Sequence, residues 1–236
     1  MERFGIFETV RVENGKPVLI EYHYSRMERS SRLLSIPFSL SLSEFKTQIV
    51  KAAGTGTKLV RFTLFKSGKV ELEPRECLKR ESVSLFPVYS VKRCFSALSC
   101  HKTVDVMDSL YALEEAKRKG FDEALLFDAK GFVSETAFAN VFFYRNGILF
   151  TPSIKTGCLP GTRREFIKEV CSEMGVPVVE GFFEIKELLQ ADEVFITSAR
   201  EDICPVRKIG NYPLKEVEGK PFYTRLKTVI EEVGFG

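Results

Sequence analysis

The stretch LSCHKTVDV, residues 98–106, brings Lys102 to the end of an apolar run, just ahead of a helix signal. A solvated lysine titrates at about 10.4 and is a poor nucleophile, whereas packing at a strand end strips water from the amine and lowers that value. Lys102 is therefore either a surface amine on an apolar stem or an amine kept for Schiff-base chemistry. Glu135 lies in GFVSETAFAN, on a strand that also carries Phe132 and Val133. A buried carboxylate is costly unless a cation meets it. Glu135 is thus either an exposed strand glutamate or the partner of a cation such as a protonated pyridine nitrogen. LPGTRREF, 159–166, sets Gly161 and Thr162 at a helix start, where first-turn amides form an anion site. FITSARE, 195–201, ends a strand in small residues that offer further amides. Arg26, in HYSRMER, either contacts a phosphate through two nitrogens or sits with Arg29 and Arg32 on a solvated helix.

The bulk properties limit what these groups serve. A chain of 236 residues with 44% hydrophobic content buries one large core or two modest ones. A formal charge of +3 falls far short of a nucleic-acid-binding stripe and suits small anions at most. Six cysteines without a CxxC pair, and no signal peptide, read as the reduced thiols of a cytoplasmic protein. Two histidines and no HExxH exclude the common metal motifs. No apolar run reaches the roughly 18–20 residues that span a bilayer, so no membrane partner is expected.

Several elements position the candidate groups. GIFETVRV and PVLI flank Asn14-Gly15, a hairpin turn signal. EYHYSRMERSSRLLS reads as a helix, and SLSEFKTQIVKAAG as another with a capping box at Ser41 and Glu44. KLVRFTLF, KVELEP and SVSLFPVY follow as strands. Together these predict a small α+β domain over 1–88 and, after a tight junction near Tyr89–Arg93, a larger one over 94–236. After Lys102 a helix is expected with Val106, Leu110 and Leu113 on its inner face and Gly120 as its stop. EALLF, GFVSETAFANVFFY and GILFTP read as antiparallel strands, GTRREFIKEVCSEMG as an amphipathic helix and EVFITS as a strand. A closing helix turns Leu226, Val229, Ile230 and Val233 inward.

In chain order, these segments resemble the class IV (fold type IV) pyridoxal-phosphate enzymes. That family includes branched-chain and D-amino-acid aminotransferases and aminodeoxychorismate lyases, and the resemblance is closest to the lyases. It runs from FGIFETVRVENG through HYSRMERSSRLL, HKTVDV…FANVFF and LFTPSIKTGCLPGTRREF to ADEVFITSAREDICPV, covering most of the chain. The resemblance implies a two-domain α+β fold like that of D-amino-acid aminotransferase, and a homodimer acting on a small anionic substrate. It makes Lys102 the Schiff-base lysine and general base, and Glu135 the partner of the pyridine nitrogen. Arg26 and the amides of Thr162–Arg163 and Ser198–Ala199 would hold the phosphate.

The same resemblance bears on the reaction. Thr9 stands where branched-chain aminotransferases usually carry glycine and the lyases threonine, and Met107 where those aminotransferases place a tyrosine. Arg61 fits a substrate carboxylate in either branch. The Arg-Gly-Tyr usual in the following loop is replaced by KSGKVELE, leaving Lys69 as a weak substitute. Two further departures are the missing strand pair before FGIFET and a short segment between VKRCFSAL and HKT. The expectation is a lyase that converts 4-amino-4-deoxychorismate to 4-aminobenzoate and pyruvate. The alternative is an aminotransferase acting on branched-chain or D-amino acids with 2-oxoglutarate.

Overall fold

The computed structural model describes residues 4–215 and 219–233. They fall into two units, one reaching to Lys79 and regaining His101–Asp105, the other comprising Arg80–Cys100 and the rest from Val106.

In the first unit β1 (Gly5–Glu13) turns at Asn14 and Gly15, whose φ angles of 48° and 80° are those of a tight hairpin turn. The returning strand, β2 (Lys16–Pro17), has only two residues, not the four of PVLI. Leu19 adopts a left-handed conformation and opens α1 (Ile20–Leu33) at once. α2 (Leu42–Ala53) carries the expected capping box between Ser41 and Glu44. β3 (Thr57–Phe65) and β4 (Val70–Glu76) complete an antiparallel sheet in the order β2-β1-β3-β4. Alternation sends Ile6, Val10 and Val12 to one face with Val60, Phe62 and Leu64, where they form a core with Met27, Phe45 and Ile49 from the helices. Phe7, Thr9 and Arg11 point to the other face, with Arg61 and Thr63 beside them. Residues 101–105 lie along the opening of β1, through Phe7 N–H to Lys102 O at 2.8 Å and Val104 N–H to Gly5 O at 3.0 Å.

The second unit begins with β5 (Val83–Arg93), so the boundary read from the sequence, between 88 and 94, falls inside a strand. The reason is pairing. β5 runs parallel to strands far along the chain, which local patterning does not reveal. α3 (Met107–Arg118), β6 (Glu123–Asp128), β7 (Val133–Thr136), β8 (Asn140–Arg145) and β9 (Ile148–Pro152) follow. Then come α4 (Thr162–Glu173), β10 (Val178–Gly181), α5 (Ile185–Leu189) and β11 (Glu193–Thr197). β12 (Cys204–Ile209), β13 (Tyr212–Pro213) and α6 (Phe222–Val233) close the unit. The sheet order is β10-β9-β8-β11-β12-β5-β6-β7, with β13 beside β12.

Three expectations change here. α3 buries Ser109, Ala112 and Ala116, while Leu110 is exposed and Val106 and Leu113 are only half-buried. Small side chains let the helix approach β5 and β6 closely, and that outweighs the larger residues' hydrophobicity. GFVSETAFANVFFY is two strands, broken where Thr136 Oγ1 donates to Ala139 O at 3.0 Å and accepts from Ala139 N–H at 2.9 Å. In α6, Leu226 and Ile230 are buried as expected and Val229 is half-buried, while the side chain of Val233 lies outside the described residues.

Candidate active site

In the first unit the antiparallel bridge between Ile6 and Thr103 sets the register. It turns the neighbouring Lys102 side chain to the Phe7 face, and Nζ lies 4.6 Å from the centre of the Phe7 ring. Arg61 approaches the same ring at 3.8 Å, and its Nε donates to Thr63 Oγ1 at 3.3 Å. Burial lowers the Arg61 pKa, Glu73 beside it raises it, and the net direction is down. Thr9 stands directly across from Arg61 in the β1–β3 ladder. One sheet face thus gathers an amine, an aromatic ring, a hydroxyl and a guanidinium. His101, buried next to the lysine, is held by Ser30 Oγ at 2.9 Å from its Nδ1. Lys69 contributes its charge to a surface pair with Glu71 at 2.7 Å. Met107 belongs to the second unit, exposed at the start of α3.

Arg26 works from the opposite, helix-packed face. Its Nε and Nη2 donate to Glu8 Oε1 and Oε2, both at 2.7 Å, and His23 Nδ1 lies 2.6 Å from Oε2. All three side chains are buried. Sequence reasoning passed over Glu8, although an acid in the core-facing register of Ile6, Val10 and Val12 is a readable signal of a buried ion pair. Burial pushes the Glu8 carboxyl up, but Arg26 and His23 outweigh it and hold the pKa at about 2, below its ordinary 4.5. A depressed carboxylate stabilises the fold above its unfolded pKa and loses that contribution as pH falls through the folded value. Glu8→Gln is expected to cost about 3–5 kcal/mol at neutral pH, because Arg26 is left buried without its anion. Denaturant melts of both proteins should show that gap narrowing between pH 4.5 and 2. A gap independent of pH would remove the ion-pair account.

In the second unit Glu135 is buried on β7. Its Oε2 accepts from Leu159 N–H at 3.0 Å, and Oε1 pairs with Arg93 Nε at 2.8 Å. Arg93, at the end of β5, was missed; nothing in its local pattern distinguishes it from a surface arginine. Asn140 Nδ2 donates to Leu159 O at 2.8 Å. A Cβ on Gly161, the N-cap of α4, would meet the Asn140 side-chain oxygen, which would have to shift. That N-cap contributes no side-chain hydrogen bond to the first turn, where Thr162 and Arg163 are buried. Arg164, also buried, ties the turn to Pro152 O and Glu180 at 3.1 and 2.6 Å. The Arg163 side chain is paired with Asp202, in the loop that holds Ser198 and Ala199. The unit therefore joins Glu135, the α4 start and the 198–202 loop in one connected set.

These features fit pyridoxal phosphate. The chain presents a lysine amine beside an aromatic ring, a buried carboxylate of the kind that keeps a pyridine nitrogen protonated, and two linked backbone segments suited to a phosphate. Among the described residues no group of histidine, cysteine or acidic side chains could hold a metal, and no helix is long and apolar enough to cross a membrane.

Taken unit by unit, such features suit an enzyme that uses pyridoxal phosphate. Comparison with known proteins narrows the class. Amino-transferase class IV matches residues 5–209, and the chain belongs to that family, whose members depend on pyridoxal phosphate. A Thermotoga maritima protein named "Probable branched-chain-amino-acid aminotransferase" is 30% identical, over 96% of this chain and 85% of its own. The aminodeoxychorismate lyase of Bacillus subtilis is 29% identical, over 98% and 88%. Among solved structures, a Legionella pneumophila protein provisionally named 4-amino-4-deoxychorismate lyase superimposes with a TM-score of 0.85 at 25% identity, covering 97% of this chain and 90% of that one. The Escherichia coli branched-chain amino acid aminotransferase matches with a TM-score of 0.85 at 23% identity, covering 95% and 83%, which establishes the shared fold. The chain is thus a class IV enzyme, an aminotransferase or a lyase.

Proposed function

We propose that this enzyme is a 4-amino-4-deoxychorismate lyase, releasing 4-aminobenzoate and pyruvate. The observation that carries the reading is the placement of Thr9, directly across from Arg61 on the face where Lys102 overlies Phe7. The similarity to the Bacillus subtilis lyase, over 98% of this chain, supports it.

Lys102 would attach the cofactor, and Glu135 would hold a proton at its ring nitrogen. The phosphate would be held by the amides of Thr162–Arg163 and Ser198–Ala199, with Arg26, which also pairs with Glu8, as a further candidate. When bound, pyridoxal phosphate supplies an electron sink for the pair released as a proton leaves the substrate. Arg61, fixed by Phe7 and Thr63, binds a substrate carboxylate, while Lys69 adds a weaker charge. The Lys102 amine would serve as the base that takes the proton from the substrate's ring carbon 4. The carbon–oxygen bond to the enolpyruvyl group would then break with its electron pair going to oxygen; the leaving enolate takes up a proton and tautomerises to pyruvate as the ring becomes aromatic.

The similarity to the Thermotoga aminotransferase favours a second reading, in which Lys102 moves a proton from an amino acid's Cα. Purified protein incubated with 4-amino-4-deoxychorismate, beside 2-oxoglutarate with a panel of L- and D-amino acids, separates the two. The lyase reading predicts 4-aminobenzoate and only slow transamination. Brisk transamination without 4-aminobenzoate would overturn it and leave the cofactor assignments standing.

Thr9 is open to a finer test. Its hydroxyl would supply one hydrogen bond to the bound substrate and cofactor as the ring proton is removed. One neutral hydrogen bond contributes about 0.5–1.5 kcal/mol, or roughly 2- to 13-fold in rate if made only in the transition state. Thr9→Val is expected to slow 4-aminobenzoate formation by that factor with cofactor binding retained. Thr9→Gly is expected to yield no strong branched-chain aminotransferase, since Met107 still replaces the tyrosine. An unchanged rate in Thr9→Val would remove the hydroxyl from the mechanism.

A further inference from the structure

The loop after β11 is tied down far more firmly than its exposure suggests. Asp202 holds a left-handed φ of 56°, its N–H donates to Ser198 O at 3.0 Å, and its carbonyl accepts from Thr197 Oγ1. Glu201, its side chain fully buried, donates its backbone N–H to Ser198 Oγ at 3.2 Å. The Glu201 carboxylate takes Arg80 N–H at 3.1 Å and Arg80 Nε and Arg200 Nε at 2.7 Å each. Against this frame, the Asp202 carboxylate meets the Arg163 guanidinium, whose side chain is only 3% exposed.

A buried ion pair adds little net stability, because desolvation of both charges offsets their attraction. What it does well is fix geometry. Arg163 is the second residue of α4 and Asp202 closes the loop carrying Ser198 and Ala199, so this one contact sets the separation of two backbone segments.

We propose that the Arg163–Asp202 pair is a positioning clamp that holds the α4 first turn and the 198–199 amides at the spacing a phosphate requires. The pair is neutral as a whole and acts through the backbone, leaving the amides to bind the anion. This rests on the phosphate site proposed above.

The test compares binding of pyridoxal phosphate with that of pyridoxal, which lacks the phosphate, to the full-length cofactor-free protein by equilibrium dialysis. The ratio of the two affinities isolates the phosphate contribution from the bond to Lys102. Asp202→Asn is the informative substitution, because asparagine tolerates a left-handed backbone while lacking the charge. It is expected to weaken pyridoxal phosphate about tenfold, the factor that ~1.4 kcal/mol represents, and pyridoxal less than about twofold. The double variant Arg163→Met/Asp202→Asn leaves no buried charge unpaired, so it carries the test if the single variant does not fold. It is expected to melt near the wild type yet show the same reduced ratio. A wild-type ratio in the double variant would overturn the clamp. A wild-type protein that binds both compounds equally would instead overturn the phosphate site itself, and the inference with it.

Discussion

Glu135→Gln is expected to lower turnover about 10²–10³-fold, the loss typical of removing one preorganised electrostatic group from an active site. Glutamine keeps an oxygen for Leu159 N–H, now 3.0 Å from Oε2, so the local backbone need not move. It removes the charge that, in the proposed mechanism, keeps a pyridine nitrogen protonated, and with it the electron sink. Arg26 and the backbone amides are untouched, so cofactor affinity is expected to fall less than about tenfold, or ~1.4 kcal/mol. The substitution also strips Arg93 of its anion, which sits 2.8 Å away. A melting-temperature decrease should therefore accompany the rate loss. Adding Arg93→Met is expected to restore the melting temperature without restoring the rate. Turnover per bound cofactor and cofactor affinity, measured on the same preparation, separate the effects. Lost cofactor with an undiminished rate per bound cofactor would refute the electron-sink role.

Lys102→Ala is expected to be more severe still, because in the proposed mechanism one amine both attaches the cofactor and carries the proton. Loss of about 10⁴-fold is the upper range for a general base alone. The fold should survive. The segment is fastened by its backbone, through Lys102 O and Val104 N–H, and by the His101 side chain on Ser30, none of which needs the lysine amine. Stability should remain within about 0.5 kcal/mol of the wild type, as for a substitution outside the core. Steady-state rates and a thermal melt decide it, and retained turnover would show that another amine does the chemistry.

The elements that depend on short-range chemistry were legible in the sequence. The Asn14-Gly15 turn and the Ser41–Glu44 capping box need only adjacent residues, and both form. What escaped depends on partners distant in the chain. β5 reads as a strand that ends the first domain, yet it lies between β12 and β6 in the second unit. On α3, apolar size predicts a different inner face from the one observed, because close packing on a sheet selects Ser109, Ala112 and Ala116.

The candidate site divides in the same way. Lys102 and Glu135 stood out through the resemblance of whole segments, not through local pattern, which left each open. The groups that hold them did not stand out at all. Arg93 is 42 residues from Glu135 in sequence and meets it only because the strands and the turn before α4 converge. Glu8 was the exception, an acid in an apolar register whose partners a closer reading of alternation predicts. Arg26 looked like a simple phosphate clamp, and the structure instead commits two of its nitrogens to that carboxylate.

The central claim is that one lysine carries the chemistry, and the most direct measurement is chemical labelling. The protein is loaded with pyridoxal phosphate, reduced with borohydride to make the lysine linkage permanent, digested and mapped by mass spectrometry. The account predicts the pyridoxyl group on the peptide containing Lys102. A label confined to Lys130, Lys155 or any other lysine would contradict it.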